Sequence, residues 1–264
     1  TGTSGAGLAG ITTVLTNNGI ATFTSLKIDR VGSGYKLTAA SEGYTSATSM
    51  VFSISGVGQI TTRGLRAMEA VTAYDRWAVG LSGTIIATSD GGRTWWEQTS
   101  GTSQDLLSVD FINRKVGWVV GAGGTMLSTT DGGYTWNVRS SGTTANLYRV
   151  RFYSSSAGMV VGANGLILRT TNGGSTWLTP SSGISSDLRG VTFGSADRAW
   201  VVGASGKILR TTDGGGTWSA QISGVTKDLR SGHCVSATKC WAVGNDGRVL
   251  RTTDGGANWN TQTV

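Results

Sequence analysis

An all-β fold is predicted by this sequence: a five-bladed β-propeller of 41-residue repeats, preceded by a small partial β-sandwich. Three observations predict it. The chain of 264 residues spells one short phrase five times, as SDGGRTW at 89–95, TDGGYTW at 130–136, TNGGSTW at 171–177, TDGGGTW at 212–218 and TDGGANW at 253–259. The tryptophans that close these phrases, Trp95, Trp136, Trp177, Trp218 and Trp259, are each 41 residues apart. Two further markers keep that interval: WAVG, WVVG, MVVG, WVVG and WAVG, beginning at positions 77, 118, 159, 200 and 241, and the leucines Leu65, Leu106, Leu147, Leu188 and Leu229. Finally, 42 glycines, one proline and only 14% charged residues suit short strands joined by tight turns. No apolar stripe of helical period runs through the chain.

One unit shows the elements in order. Over residues 188–222 the strands read LRGVTF, RAWVVG, GKILRTT and TWSAQIS, with ADR and ASGK as turns. Val191 and Phe193 alternate as a half-buried strand requires. A four-stranded unit of about 40 residues, repeated, is the signature of a propeller. Five contiguous blades account for a domain at 57–264, and GQITTR at 58–63 is the one stretch that could add a closing strand. Residues 1–56 lack the period and form the other domain. There GITTVLTNNGIATFTSLKI reads as strand, Asn-Gly turn and strand, followed by strands in YKLTAASEG and TSATSMVFSIS.

The phrase itself is turn chemistry. Its Asp accepts hydrogen bonds from the amides of the turn it begins, its glycines permit positive φ, its Thr hydroxyl closes the turn, and its Trp anchors the next strand between blades. The aspartates are Asp90, Asp131, Asp213 and Asp254, while Asn172 stands in the third copy and Asn258 replaces the Thr of the fifth. A general acid would not survive Asp to Asn; a turn cap does. The pattern S/T-x-D-x-G-x-T-W resembles the Asp-box, or bacterial neuraminidase repeat, of sialidases, sortilin-type receptors and secreted glycosidases. The longer stretch LRGVTF…AWVVGASGKILRTTDGGGTW resembles the propeller family of the photosystem II assembly and stability factor. The resemblance covers about residues 60–264 and implies that the box is a folding element remote from any active site. The stretch NNGIATFTSLKIDRVGSGYKLTAASEGYTSATSMVFSIS resembles the carboxy-terminal half of an immunoglobulin-like repeat of bacterial surface proteins. Such a domain needs about seven strands, and four are visible, so its open edge invites a strand from another chain.

The net charge of +7, with only Glu42, Glu69 and Glu97 as glutamates, favours acidic partners of some kind. Cys234 and Cys240 sit at the two ends of a hairpin, with five residues between them, where a cross-strand disulfide or two buried thiols would fit. With one histidine, His233, they cannot build a metal cage. No stretch of 18 apolar residues predicts a transmembrane segment, and a start at Thr1 without a signal pattern marks a processed form or a fragment.

Candidate binding residues lie on the first strand of each repeat. Arg66, Arg189 and Arg230 directly follow the marker leucine, where Tyr148 and Leu107 stand in the other copies; Arg149 and Arg151 lie just beyond. Such residues could ring the axis as a basic patch for an anionic group. Arg169, Arg210 and Arg251 form a second set, on the third strand. The fourth position after the leucine varies most, as Glu69, Asp110, Arg151, Thr192 and His233, and is where a repeated scaffold writes specificity. A glycosidase would have only Glu69 with Asp110 as its carboxylate pair. No Tyr–Glu pair, Ser-His-Asp arrangement or phosphate loop is visible, so no catalytic residue, metal or cofactor is expected. The expected function is a non-catalytic binding or structural module, extracellular, cell-surface or periplasmic. It would engage a protein partner, an anionic glycan or other copies through its amino-terminal strands; nucleic acid is not expected. The alternatives are an assembly factor for a membrane complex and a sialidase-like glycosidase.

Overall fold

The computed structural model describes residues 61–262 continuously and, before them, residues 8–9, 27–28, 32–40, 42–43, 45–50 and 52–54. The chain divides into two compact units, Thr1–Ile60 with Gly92–Trp95, and Thr61–Gly91 with Trp96–Val264. In the first unit the strands are β1 (Leu8–Ala9), β2 (Lys27–Ile28), β3 (Gly32–Tyr35), β4 (Thr38–Ala39), β5 (Ala47–Thr48) and β6 (Phe52–Ile54). They pair antiparallel as β1 with β2, β3 with β6 and β4 with β5. The Asn-Gly hairpin expected over residues 11–26 lies outside the described residues. Residues 61–63 form no strand, and 58–60 also lie outside the described residues, so GQITTR supplies no closing strand among those described.

The second unit is five antiparallel sheets in chain order, each a meander. Sheet one is β7 (Leu65–Ala70), β8 (Arg76–Gly80), β9 (Ile85–Thr88) and β10 (Trp96–Gln98). Sheet two is β11 (Leu106–Phe111), β12 (Gly117–Gly121), β13 (Met126–Thr129) and β14 (Asn137–Val138). Sheet three is β15 (Leu147–Phe152), β16 (Gly158–Gly162) and β17 (Ile167–Thr170). Sheet four is β18 (Leu188–Phe193), β19 (Ala199–Gly203), β20 (Ile208–Thr211) and β21 (Ser219–Gln221). Sheet five is β22 (Leu229–Cys234), β23 (Cys240–Gly244), β24 (Val249–Thr252) and β25 (Asn260–Thr261).

Each sheet has two apolar faces, and the core lies between sheets rather than within them. The trailing face of sheet one (Trp77, Val79, Ile85) meets the leading face of sheet two (Leu106, Val109, Leu127). The same positions recur at the next three junctions, ending with Trp200, Val202 and Ile208 against Leu229, Ala242 and Leu250. First strands of consecutive sheets also touch one another, which puts β7, β11, β15, β18 and β22 on the inner side.

Two local devices repeat. The residue after each marker leucine is bulged, because pairing jumps from Leu106 to Ser108, and likewise at Leu65, Leu147, Leu188 and Leu229. The glycine ending each second strand permits a close crossing: a Cβ on Gly121 would stand 2.1 Å from the Asp105 carbonyl oxygen. The cysteines are directly opposed across β22 and β23 and are joined as a disulfide. At the same place sheets two and three lay a phenylalanine ring over a glycine, Phe111 over Gly117 and Phe152 over Gly158.

Sheet three departs from the four strands expected of every repeat. Beyond β17 only one bridge forms, Arg169 to Leu178. In sheets two and five the amide three residues after the box tryptophan bonds back to the third strand, Arg139 N–H to Met126 O and Gln262 N–H to Val249 O, each 2.8 Å. The equivalent residue in sheet three is Pro180, the single proline of the chain, which has no N–H to give. Pro180→Gln should therefore extend the fourth strand, and hydrogen exchange should find the new amide at 180 protected like those of Arg139 and Gln262. Exchange at the rate of an open loop would refute this explanation.

Candidate functional site

After the third strand of each of sheets two to five the box residues form a closed network. In the second copy the buried Thr129 hydroxyl donates to Asp131 Oδ1 (2.8 Å) and accepts from Gly133 N–H (2.8 Å). Asp131 in turn accepts from the amide of Thr135 (2.9 Å) and from its hydroxyl (2.6 Å). Gly133 sits at φ +88°, the left-handed region that glycine alone enters freely. The two departures keep the network intact. Asn172 Nδ2 donates to Thr176 Oγ1 at 2.8 Å, and Asn258 Nδ2 donates to Asp254 Oδ2 at 2.8 Å. Donation from Thr135 holds Asp131 down at about 2, and donation from the amide and side chain of Asn258 does the same for Asp254.

The box tryptophans then enter the junctions between sheets. Trp136 stands edge-on to Phe111 at 5.8 Å, Trp177 edge-on to Phe152 at 6.0 Å, and Trp259 joins the core between sheets four and five. At the first junction Trp77 Nε1 and Gln98 Nε2 both donate to Gly132 O (3.1 and 3.0 Å), while Trp136 Nε1 donates to Gln98 Oε1 (3.1 Å). In the first copy Thr88 donates to Asp90 Oδ1 at 2.8 Å and Trp95 Nε1 to Gly92 O at 3.2 Å. On the third strands Arg210 and Arg251 lie over Trp200 and Trp241, at 5.9 and 5.7 Å, and Arg169 Nε donates to Gly214 O.

The first-strand arginines do not make one ring. They fall into two groups. In one, Arg151 Nη1 lies 3.0 Å from Glu69 Oε2 and 3.0 Å from Asp110 Oδ1, so a single nitrogen bridges sheets one, two and three. Asp110 also accepts the Phe152 amide at 2.7 Å. Burial raises Asp110 to about 6 against the pull of Arg151 and that amide. Arg149 lies in the same group, lowered by burial and by repulsion from Arg151, and it has no hydrogen-bonded or salt-bridged acceptor among the described residues. The other group is a ladder on the bulge position. Tyr148 Oη donates to Asp187 (3.2 Å), Arg189 stacks on Tyr148 (5.3 Å) and reaches Asp187 (3.3 Å) and Asp228 (3.7 Å), and Arg230 reaches Asp228 (3.6 Å) and Asn245 (2.9 Å). Arg66 is exposed and belongs to neither group.

Two expectations change accordingly. The variable fourth position stitches sheets together where its side chain can accept a bond: Asp110 holds the Phe152 amide, and Thr192 Oγ1 holds the Cys234 amide at 3.0 Å. Glu69 and Asp110 share one guanidinium nitrogen, so they form an ion triad rather than a free acid and base. Sequence reasoning also missed a marker with the same 41-residue phase, the residue just before the leucine. Asp105, Asn146, Asp187 and Asp228 each accept the amide of the left-handed turn in the preceding sheet, at 2.9, 3.0, 3.2 and 3.0 Å.

Two outcomes follow from these charges. The carboxylates of Asp131, Asp213 and Asp254 titrate below their unfolded value of about 4, so their stabilisation is complete above that pH and is lost as pH falls toward 2. Thermal unfolding should show the midpoint dropping across that window, with a shallower drop for Asp131→Ala; identical slopes would contradict the role given to the box. Arg151→Met leaves Asp110 and Glu69 facing each other. Because Asp110 titrates upward, its ionised form is the costly one, and the loss should grow from pH 5 to pH 8, reaching about 2 kcal/mol in urea melts. A loss independent of pH would show that the triad carries no such coupling.

Against known proteins, the family described as photosynthesis system II assembly factor YCF48 matches over residues 96–182, 141–223 and 179–264. Curated protein sequences yield no match. Among solved structures, YCF48 bound to D1 peptide superposes with a TM-score of 0.62 at 22% identity, covering 78% of this chain and 68% of that one. The WD40 β-propeller domain of Doa1 gives 0.63 at 13% identity, over 76% of this chain and 68% of that one. The GH74 enzyme of Niastella koreensis gives 0.62 at 18% identity, over 75% of this chain but 38% of its own. At these identities the likeness is one of fold, an all-β, propeller-like arrangement. The repeat, its boxes and the span of the family match agree: this chain belongs to the YCF48 family of photosynthesis system II assembly factors.

Proposed function

We propose that this chain is a non-catalytic assembly factor that holds an acidic or carboxylate-ended peptide segment of a membrane-protein client. Residues 57–264 act as a five-bladed propeller, with an immunoglobulin-like β domain at 1–56. The observation that carries the client-binding reading is Arg149. Arg151, Arg189 and Arg230 each have a carboxylate of this chain within 3.7 Å, whereas among the described residues Arg149 has none bonded to it and feels Glu69 and Asp110 only through their charge. A half-buried guanidinium gains from a carboxylate brought by a partner, because the pair forms two parallel charge-assisted bonds. The YCF48 structure with a D1 peptide supplies the class of partner. The disulfide supports a working compartment that is oxidising, at the cell surface, in a periplasm or in a comparable lumen.

The test is the affinity of a labelled D1 peptide by fluorescence anisotropy. Arg149→Met should weaken binding by about 30-fold, the loss of roughly 2 kcal/mol of charge-assisted bonding. Arg189→Glu with Arg230→Glu should weaken it further by reversing the neighbouring ladder. Unchanged affinity in both variants, or no binding by the unaltered chain, would sink this reading.

A further inference from the structure

We propose that the corner between sheets four and five is a site for a tetrahedral oxyanion, a phosphate or sulfate group, held by Arg198 and Arg210 over the Gly255–Gly256 turn of the fifth box. Both arginines project from the face of sheet four that meets sheet five. Arg210 pairs with Trp200 across β19 and β20, and Arg198, two residues before Trp200, alternates to the same face. Trp200 is buried in the core of that junction, and Arg210 lies over its ring at 5.9 Å. The two guanidiniums converge on one point: a Cβ on Gly255 would stand 3.9 Å from Arg198 Nη1 and 4.0 Å from Arg210 Nη2.

The repeat makes this corner unlike the three before it. The position of Arg198 is Asp75, Val116 and Ala157 in sheets one to three, and that of Arg210 is Ala87, Ser128 and Arg169. Of these four corners, two cations therefore meet at the fourth alone. Even the arginine shared with sheet three is held differently. Arg169 Nε donates to Gly214 O in the fourth box, whereas Arg210 Nε is buried and has no hydrogen-bond partner among the described residues. Arg198 acts on the neighbouring Asp197 through its charge, while the bond to that carboxylate comes from the Ser195 hydroxyl. Asp254, the acid of the fifth box, is likewise committed to Thr252 and Asn258. Two like charges at one turn repel until an anion gives acceptors to both. The ligand class follows from the number of oxygens required. One guanidinium fork saturates the two oxygens of a carboxylate, whereas a phosphate or sulfate keeps oxygens for a second fork. Neither arginine belongs to the Arg149 group or to the ladder, so the site is independent of the peptide-binding reading.

Titration of the nitrogen-15-labelled whole chain with inorganic phosphate, at about pH 7.5 where the anion is mainly divalent, tests this. The amides of Gly255 and Gly256 should shift and saturate. Arg198→Gln and Arg210→Gln should each weaken the affinity about tenfold, as one charge-assisted partner is lost. Lys207→Gln removes the same charge just before β20, at the end of that strand away from Arg210, and should leave the affinity unchanged. Circular dichroism checks the fold; Arg198→Gln leaves the cover of Trp200 in place and decides the matter if Arg210→Gln unfolds. Vesicles of phosphatidylcholine carrying phosphatidic acid then separate the sources. Retention on them that is lost in Arg198→Gln assigns the site to a lipid headgroup, and phosphate binding without retention assigns it to a soluble phosphate or sulfate. Shifts that never saturate, that persist in Arg198→Gln, or that weaken equally in Lys207→Gln would each overturn the proposal.

Discussion

A sheet of three or four short strands has two apolar faces and no interior, so it can bury those faces only against another sheet. Everything else in residues 61–262 follows from that constraint. The buried side chains sit at the same positions of each repeat because each repeat plays both roles, covering the sheet before it and being covered by the one after it. Stability is then a property of junctions, and a change in one face is felt by two sheets. The glycines ending the second strands belong to the same logic, since only a residue without Cβ lets neighbouring strands cross at the observed distance.

The corners hold these sheets in shape, and their chemistry explains why the phrase tolerates substitution where it does. Each corner needs an acceptor for the incoming amide and a side-chain bond across the turn; Asp with Thr, Asn with Thr and Asp with Asn all supply both. The buried threonine two residues earlier does as much as the aspartate, because its hydroxyl bonds both the carboxylate and the second glycine's amide. The charged side chains that break the repeat lie elsewhere, on the inner strands, where the bulge turns residues such as Arg189 and Arg230 away from the regular ladder. There the repeat stops being repetitive. Glu69, Asp110 and Arg151 make a triad in sheets one, two and three, while Tyr148, Arg189 and Arg230 make a ladder in sheets three, four and five.

Much of this architecture was legible before any coordinates, because it repeats. Trp, Gly and Leu at a fixed interval announce sheets, junctions and corners together, and opposed cysteines announce a disulfide where a hairpin is already implied. What repetition hides is the exception. Pro180 costs sheet three its fourth strand through one missing N–H, a loss seen only when the equivalent amides of Arg139 and Gln262 are found bonded. The pairing of arginines with Asp187 and Asp228 was equally hidden, since it joins residues from neighbouring repeats and a periodic reading compares positions without placing them in contact. The clamp residues before each leucine were visible in phase, but only the bond to the preceding turn gives them a meaning.

The central claim is that burial resides at the junctions between sheets. Hydrogen exchange, resolved by strand, tests it most directly. The account predicts the greatest protection in β12, β16 and β19, which are covered on both faces, and faster opening of β7 and β23, where Leu65, Met68 and Val243 are exposed. Protection of β7 and β23 equal to that of β16 would contradict the account.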